Sequence, residues 1–79
     1  MTTTEAFSDI ADILAGLAPE KVVKLKAPAT MSARVEILVN RKKEGLINED
    51  ESTELERYLT LDLLISLSKA RAKAMLKAA

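Results

Sequence analysis

Residues 48–79 read NEDESTELERYLTLDLLISLSKARAKAMLKAA, and neither Pro nor Gly interrupts them. Asn48 followed three residues later by Glu51 has the form of a capping box, in which each side chain answers a backbone N–H at a helix start. Glu49, Asp50, Glu51, Glu54 and Glu56 crowd the first turns, whereas Lys69, Arg71, Lys73 and Lys77 occupy the last ones. That distribution suits the helix macrodipole at both ends. The stretch therefore predicts one long helix over 48–79, roughly 45 Å at the usual rise per residue.

Its middle raises a packing problem. Leu55, Tyr58, Leu59, Leu61, Leu63, Leu64, Ile65 and Leu67 do not share one stripe when wound as a helix but point all the way round it. Such a helix needs cover on more than one side. Working back along the chain, Met31, Val35, Leu38 and Val39 form the main stripe of a helix over 29–45, starting near Ala27 or Thr30. Ala33 and Ile37 fall on its other side. Arg41, Lys42 and Lys43 suit its C-terminus, and Gly45 is placed as the residue just past its end. Leu46 and Ile47 are all that separates it from Asn48, so the two helices are expected to form an antiparallel hairpin. The shorter arm, about 24 Å long, reaches only to about Leu67. Beyond that, Ala70, Ala72, Ala74, Met75, Leu76 and Ala78 need the N-terminal segment or a second copy.

The first eighteen residues supply one such cover. Thr2 to Thr4 offer N-caps, Glu5 and Asp9 suit a helix start, and Phe7, Ile10, Ile13, Leu14 and Leu17 recur at helical spacing. This piece is read either as a core-covering helix or as a partner-binding arm, with Gly16 ending or loosening it. A helix that short must dock to be stable. Pro19 suits a first helical turn, so a short helix is expected over 19–27. The alternation Val23-Lys24-Leu25-Lys26 also permits an extended piece, and Pro28 punctuates the chain.

Composition narrows the chemistry. The chain has 79 residues with no Cys and no His, 12 basic and 12 acidic side chains, and Phe7 and Tyr58 as its only aromatics. One small helical domain over 1–79 is expected, near the size at which a single core needs help. With disulfides and thiolate sites excluded, self-association is the natural route to a larger core. Asn48-Glu49-Asp50-Glu51 lacks the spacing of a calcium-binding loop. No metal, no cofactor and no catalytic set is expected, and the chain is read as not an enzyme. A balanced charge makes nucleic acid an improbable partner. No apolar run reaches the ~20 residues of a membrane span, and no leader is evident at the start, so a cytoplasmic location is expected.

Specific residues follow from these faces. Phe7, Ile10, Ile13 and Leu14 are the candidate partner-binding residues. Leu61, Leu64, Ile65, Ser68 and Met75 are the candidate homodimer interface. Asp62 lies among apolar neighbours, with Ser66 one turn on. It is expected to set the packing register together with Tyr58, through Arg34, Arg41 or Arg57, or else to face a solvated gap between subunits. Arg57 beside Tyr58 has the composition of an interface anchor, though Tyr58 also reads as a plain core-closing residue. A dimeric helical DNA-binding regulator using Lys21, Lys24, Lys26, Arg41, Lys42 and Lys43 is the alternative function.

The elements Leu17-Ala18-Pro19-Glu20-Lys21-Val22, Arg34 to Leu38, Lys43-Glu44-Gly45-Leu46, Glu51, Glu54-Leu55, Tyr58-Leu59, Leu61-Asp62 and Lys69-Ala70-Arg71-Ala72 run through the larger part of the chain. In them it resembles a family of small helical bacterial proteins, frequent in cyanobacteria. The resemblance implies a small companion of other genes, some of them nuclease- or toxin-like, and hence an antitoxin-like or accessory role. It brings no catalytic residues. The expectation is an all-α protein, with short N-terminal helices, an antiparallel hairpin and a long C-terminal helix, assembled as a homodimer that binds a partner protein.

Overall fold

A computed structural model of the chain describes residues 2–78; positions 1 and 79 of the expected ranges lie outside the described residues. Among the described residues there are four helices and no strand: α1 (Thr3–Leu17), α2 (Pro19–Val22), α3 (Ala29–Lys43) and α4 (Glu49–Ala78). The architecture is all-α, with a long C-terminal helix packing against the earlier ones. The chain divides into two compact units, one made of Met1–Lys26 with Leu63–Ala79, the other of Ala27–Asp62.

The Ala27–Asp62 unit is a helical hairpin whose turn chemistry was written in the sequence. Gly45 takes φ +72°, a conformation costly for a residue with a Cβ. The Leu46 N–H then donates to the Arg41 carbonyl at 2.9 Å and the Gly45 N–H to the Lys42 carbonyl at 3.1 Å, closing α3 with a Schellman motif. Two residues later the Glu51 N–H donates to Asn48 Oδ1 at 2.8 Å, and the Asn48 N–H donates to Glu51 Oε1 at 3.2 Å. This is the reciprocal capping box that starts α4. At the other end of α3, Pro28 itself is the N-cap residue and has no side-chain bond to offer. Leu38 is fully buried and Leu55 nearly so, with Val35, Val39, Met31 and Tyr58 half-buried around them. Ile37, on the other side of α3, is 47% exposed.

In the Met1–Lys26 and Leu63–Ala79 unit, the Thr2 hydroxyl accepts the Glu5 N–H at 3.1 Å and starts α1. Gly16 does not stop the helix, which continues to Leu17. The short helix expected over 19–27 is a single turn, Pro19–Val22. After it come turn bonds from the Lys24 N–H to the Lys21 carbonyl and from the Leu25 N–H to the Val22 carbonyl. The core here consists of small side chains. Ala11, Ala15 and Ala72 are fully buried, Ser68 is 1% exposed, and Val22 packs with Ala15 and Ala72 against the half-buried Val23. Ala11 and Ala15 stand one turn apart on one face of α1, and Ser68 and Ala72 likewise on α4. Small residues at a helix contact allow a short interaxial distance, because that distance follows the side chains between the helices. The buried Ser68 hydroxyl donates to the Leu64 carbonyl at 2.7 Å, so it leaves no unmet donor in that contact.

The N-terminal segment therefore covers the distal part of α4, as one of the two expected alternatives had it. It does so through a face other than the aliphatic stripe that suggested docking. Leu55 and Glu51 are the buried positions of α4 in the hairpin, and Ser68 and Ala72 in the other unit. Elsewhere on α4, Leu59, Leu61 and Leu63 remain about half-exposed, so not every apolar residue of that helix is covered.

Candidate interaction surfaces

On α1 the buried residues Ala11 and Ala15 leave the large aliphatics outside. Ile10 is 48% exposed, Ile13 64%, Leu14 36% and Leu17 76%. These positions follow the i, i+3, i+4, i+7 rule and so form one continuous stripe. Phe7, the fourth candidate partner-binding residue, is half-buried. It lines a groove of about 420 Å³ with Thr3, Thr4, Ser8, Leu63, Leu67 and Arg71. Leu63 is half-exposed. Arg71 also ties α4 to α1: its Nε donates to Asp12 Oδ1 at 2.8 Å and its Nη2 donates to Ser8 Oγ at 3.2 Å. Both partners of that ion pair are about half-exposed, so it orients α1 on α4 while adding at most about 1 kcal/mol.

The candidate dimer residues are not brought together as one open face. Ser68 is covered by its own chain, and Leu64 and Ile65 are half-buried. Leu61 (49% exposed) belongs to the hairpin and Met75 (37% exposed) to the other unit. Leu76, which was not among the candidates, is 43% exposed. Its place one turn after Ala72 could have drawn attention to it.

In the hairpin, Tyr58 and Asp62 do meet at one feature, a cleft of about 180 Å³ lined also by Ala27, Met31, Ser32, Val35 and Leu59. That is below the roughly 300 Å³ at which small-molecule pockets begin. Asp62 is exposed and takes part in none of the ion pairs among the described residues. Pairing with Arg34, Arg41 or Arg57, one of the two expected alternatives, is not made, and exposure to solvent removes the burial penalty that called for a partner. The arginines are engaged elsewhere. Arg34 grips Glu54 through two parallel bonds, Nε to Oε2 at 2.8 Å and Nη2 to Oε1 at 3.0 Å. Arg41 Nη1 stands 3.0 Å from Glu51 Oε2, with Arg34 Nη2 3.9 Å from the same oxygen. The nearly buried Glu51 is thus matched by two cations and a backbone N–H.

The bond from Arg34 holds the Glu54 carboxyl below the usual carboxylate range and the guanidinium above its own. Glu54 in turn, through hydrogen bonding first and burial second, keeps the Tyr58 phenol above its ordinary value. This ladder of Glu51, Arg34, Glu54 and Tyr58 was missed as a unit in the sequence. The signal available was the i, i+3, i+4, i+7 spacing of 51, 54, 55 and 58, which sets the acidic pair beside Leu55.

Of the cations in the DNA-binding alternative, Lys21, Lys24 and Lys26 belong to one unit and Arg41, Lys42 and Lys43 to the other, with Arg41 committed to Glu51. Among the described residues no group of three or more acidic side chains is placed to hold a metal ion, and no helix is long and apolar enough to cross a membrane. No family model matches this chain, and no significant match to a curated protein or a solved structure was found.

Proposed function

We propose that this chain is a non-enzymatic protein-interaction module, an antitoxin-like or accessory subunit. Its α1 face of Phe7, Ile10, Ile13 and Leu14 docks a helix of another chain. The observation that carries the reading is the mismatch on α1. The helix is seated by Ala11 and Ala15, while its largest side chains stand outside the core. Retaining a stripe of bare aliphatics beside a completed contact has no value to the isolated fold, and contiguous apolar surface of this kind is characteristic of binding faces. The docking mode is helix-in-groove burial. The stripe supplies the anchors, and the groove beside Phe7, walled by Leu63 and Leu67, receives side chains from the partner.

Affinity capture with the whole chain as bait, identification of what it retains, and titration calorimetry with the purified partner test this proposal. Ile10→Ser combined with Ile13→Ser is expected to weaken binding about thirtyfold or more, the level at which an interface position counts as a hot spot. A doubly substituted chain that keeps its helical content and binds its partner as tightly as the original would overturn it.

A further inference from the structure

Resting on the reading of the α1 stripe as a docking face, we infer that the chain docked there is a second copy: α1 of each copy lies against the Leu63–Ala78 stretch of the other's α4. The argument is the way charge is sorted beside bare aliphatic surface within one unit. Helix α1 carries Glu5, Asp9 and Asp12 and no basic residue. The Leu63–Ala78 stretch carries Lys69, Arg71, Lys73 and Lys77 and no acidic one. Among the described residues a single ion pair, Arg71 with Asp12, joins the two sets inside a copy. Glu5, Asp9, Lys73 and Lys77 are exposed and enter no ion pair there.

Each set borders uncovered apolar side chains. Asp9 sits one turn before Ile13, and Glu5 one turn before Asp9, so an acidic edge runs along the stripe of Ile10, Ile13, Leu14 and Leu17. On α4, the exposed Leu76 stands one turn after Lys73, and the exposed Met75 one turn after Arg71. Within a copy the two helices have already met through Ala11, Ala15, Ser68 and Ala72, so the stripe of α1 is left for cover from outside. Pairing α1 with α1 would set carboxylates against carboxylates, and tail against tail would set ammonium groups together. Only α1 against tail joins apolar to apolar and acid to base. A two-fold axis makes that exchange reciprocal, so that both surfaces of both copies are used and neither is left to extend a filament.

Sedimentation velocity on the full chain from micromolar to millimolar concentration reads the inference. The expected result is a rise from the mass of one copy to that of two, with the dissociation constant weakening several-fold between about 50 mM and about 0.5 M NaCl as the charges are screened. Asp9→Lys alone and Lys73→Glu alone are each expected to weaken the dimer about tenfold, and their combination to restore most of the loss. Asp9 and Lys73 are both exposed, and circular dichroism verifies that each variant keeps its helices.

A single-copy mass at every concentration, or a double reversal no better than the worse single one, overturns the second-copy inference. In that event, loss of an identified foreign partner on Ile10→Ser with Ile13→Ser leaves the docking face standing with a different occupant. Stripe substitutions that alter neither mass nor partner binding overturn the docking face itself.

Discussion

Substituting Ala15 by Leu and, separately, Ile13 by Ala reverses the ranking that residue size alone suggests. Ala15 has no exposed surface and touches Val22 and Ala72. Three further carbons cannot be accommodated without separating α1 from α4, and overpacking of this kind costs about 1–3 kcal/mol. Ile13 is 64% exposed, so only about a third of the ~1.5–3 kcal/mol of a fully buried aliphatic side chain is at stake. Alanine's better helix propensity returns roughly half a kcal/mol of that. At about 4–8 °C per kcal/mol for a domain of this size, Ala15→Leu should lower Tm by about 4–24 °C, and Ile13→Ala should leave it within about 4 °C.

The measurement is far-ultraviolet circular dichroism melting of dilute protein in high salt, so that association adds nothing. Amide hydrogen exchange then localises the loss to α1 and the distal part of α4. Were Ile13→Ala to cost more than Ala15→Leu under those conditions, α1 would be held by its aliphatic stripe. The small-residue contact, and every argument built on the stripe being free, would be wrong.

In the hairpin, Leu38→Ala should cost about 2–5 kcal/mol in urea unfolding, because its side chain is fully buried at the centre of the contact. Asn48→Ala should cost about 1 kcal/mol and Asn48→Gly only a few tenths, since Ala removes the cap acceptor while favouring a helical rather than a capping backbone. Gly45→Ala should cost about 1 kcal/mol from its positive φ alone, because a Cβ there would meet nothing within 4 Å. Glu54 titrates lower in the folded chain than in the unfolded one because Arg34 bonds its charged form. The unfolded state therefore takes up the proton first as pH falls. The stabilisation from this pair is full above the ordinary carboxylate range and is lost as pH drops through the depressed folded value. Glu54→Gln should flatten that part of the acid limb in a pH series of urea unfolding. An unchanged limb would show that the pair contributes nothing.

Local chemistry was legible in the chain wherever a motif closes on itself within a few residues. The capping box at Asn48 and Glu51, the left-handed Gly45 ending α3, the Thr2 cap and the hairpin between them all depend on neighbours in sequence, and the structure has each of them. The candidate partner-binding side chains could be named because helical spacing alone gathers Phe7, Ile10, Ile13 and Leu14. Which face of α1 meets the core could not be read that way. Helical periodicity identifies a greasy stripe but not the competing option of close approach through alanine, since Ala11 and Ala15 look unremarkable until Ser68 and Ala72 lie opposite them. Asp62 likewise looked costly among leucines, yet the fold leaves it in water.

The helices, their order and the ends fixed by a local cap at Thr2, Gly45 or Asn48 are properties of contiguous residues, and the amino-acid sequence by itself determined them here; the C-terminal ends of α1 and α2 it did not. Which side of α1 is buried, which carboxylates Arg34 and Arg41 hold, and which apolar side chains stay uncovered are set by residues from 10 (Arg41 and Glu51) to 59 (Asp12 and Arg71) positions apart. Those pairings exist only once the chain has folded, because burial is a competition among all faces at once. Tertiary structure alone decided it, in favour of the small residues Ala11, Ala15, Ser68 and Ala72, which it buries while the larger aliphatics of α1 stay outside.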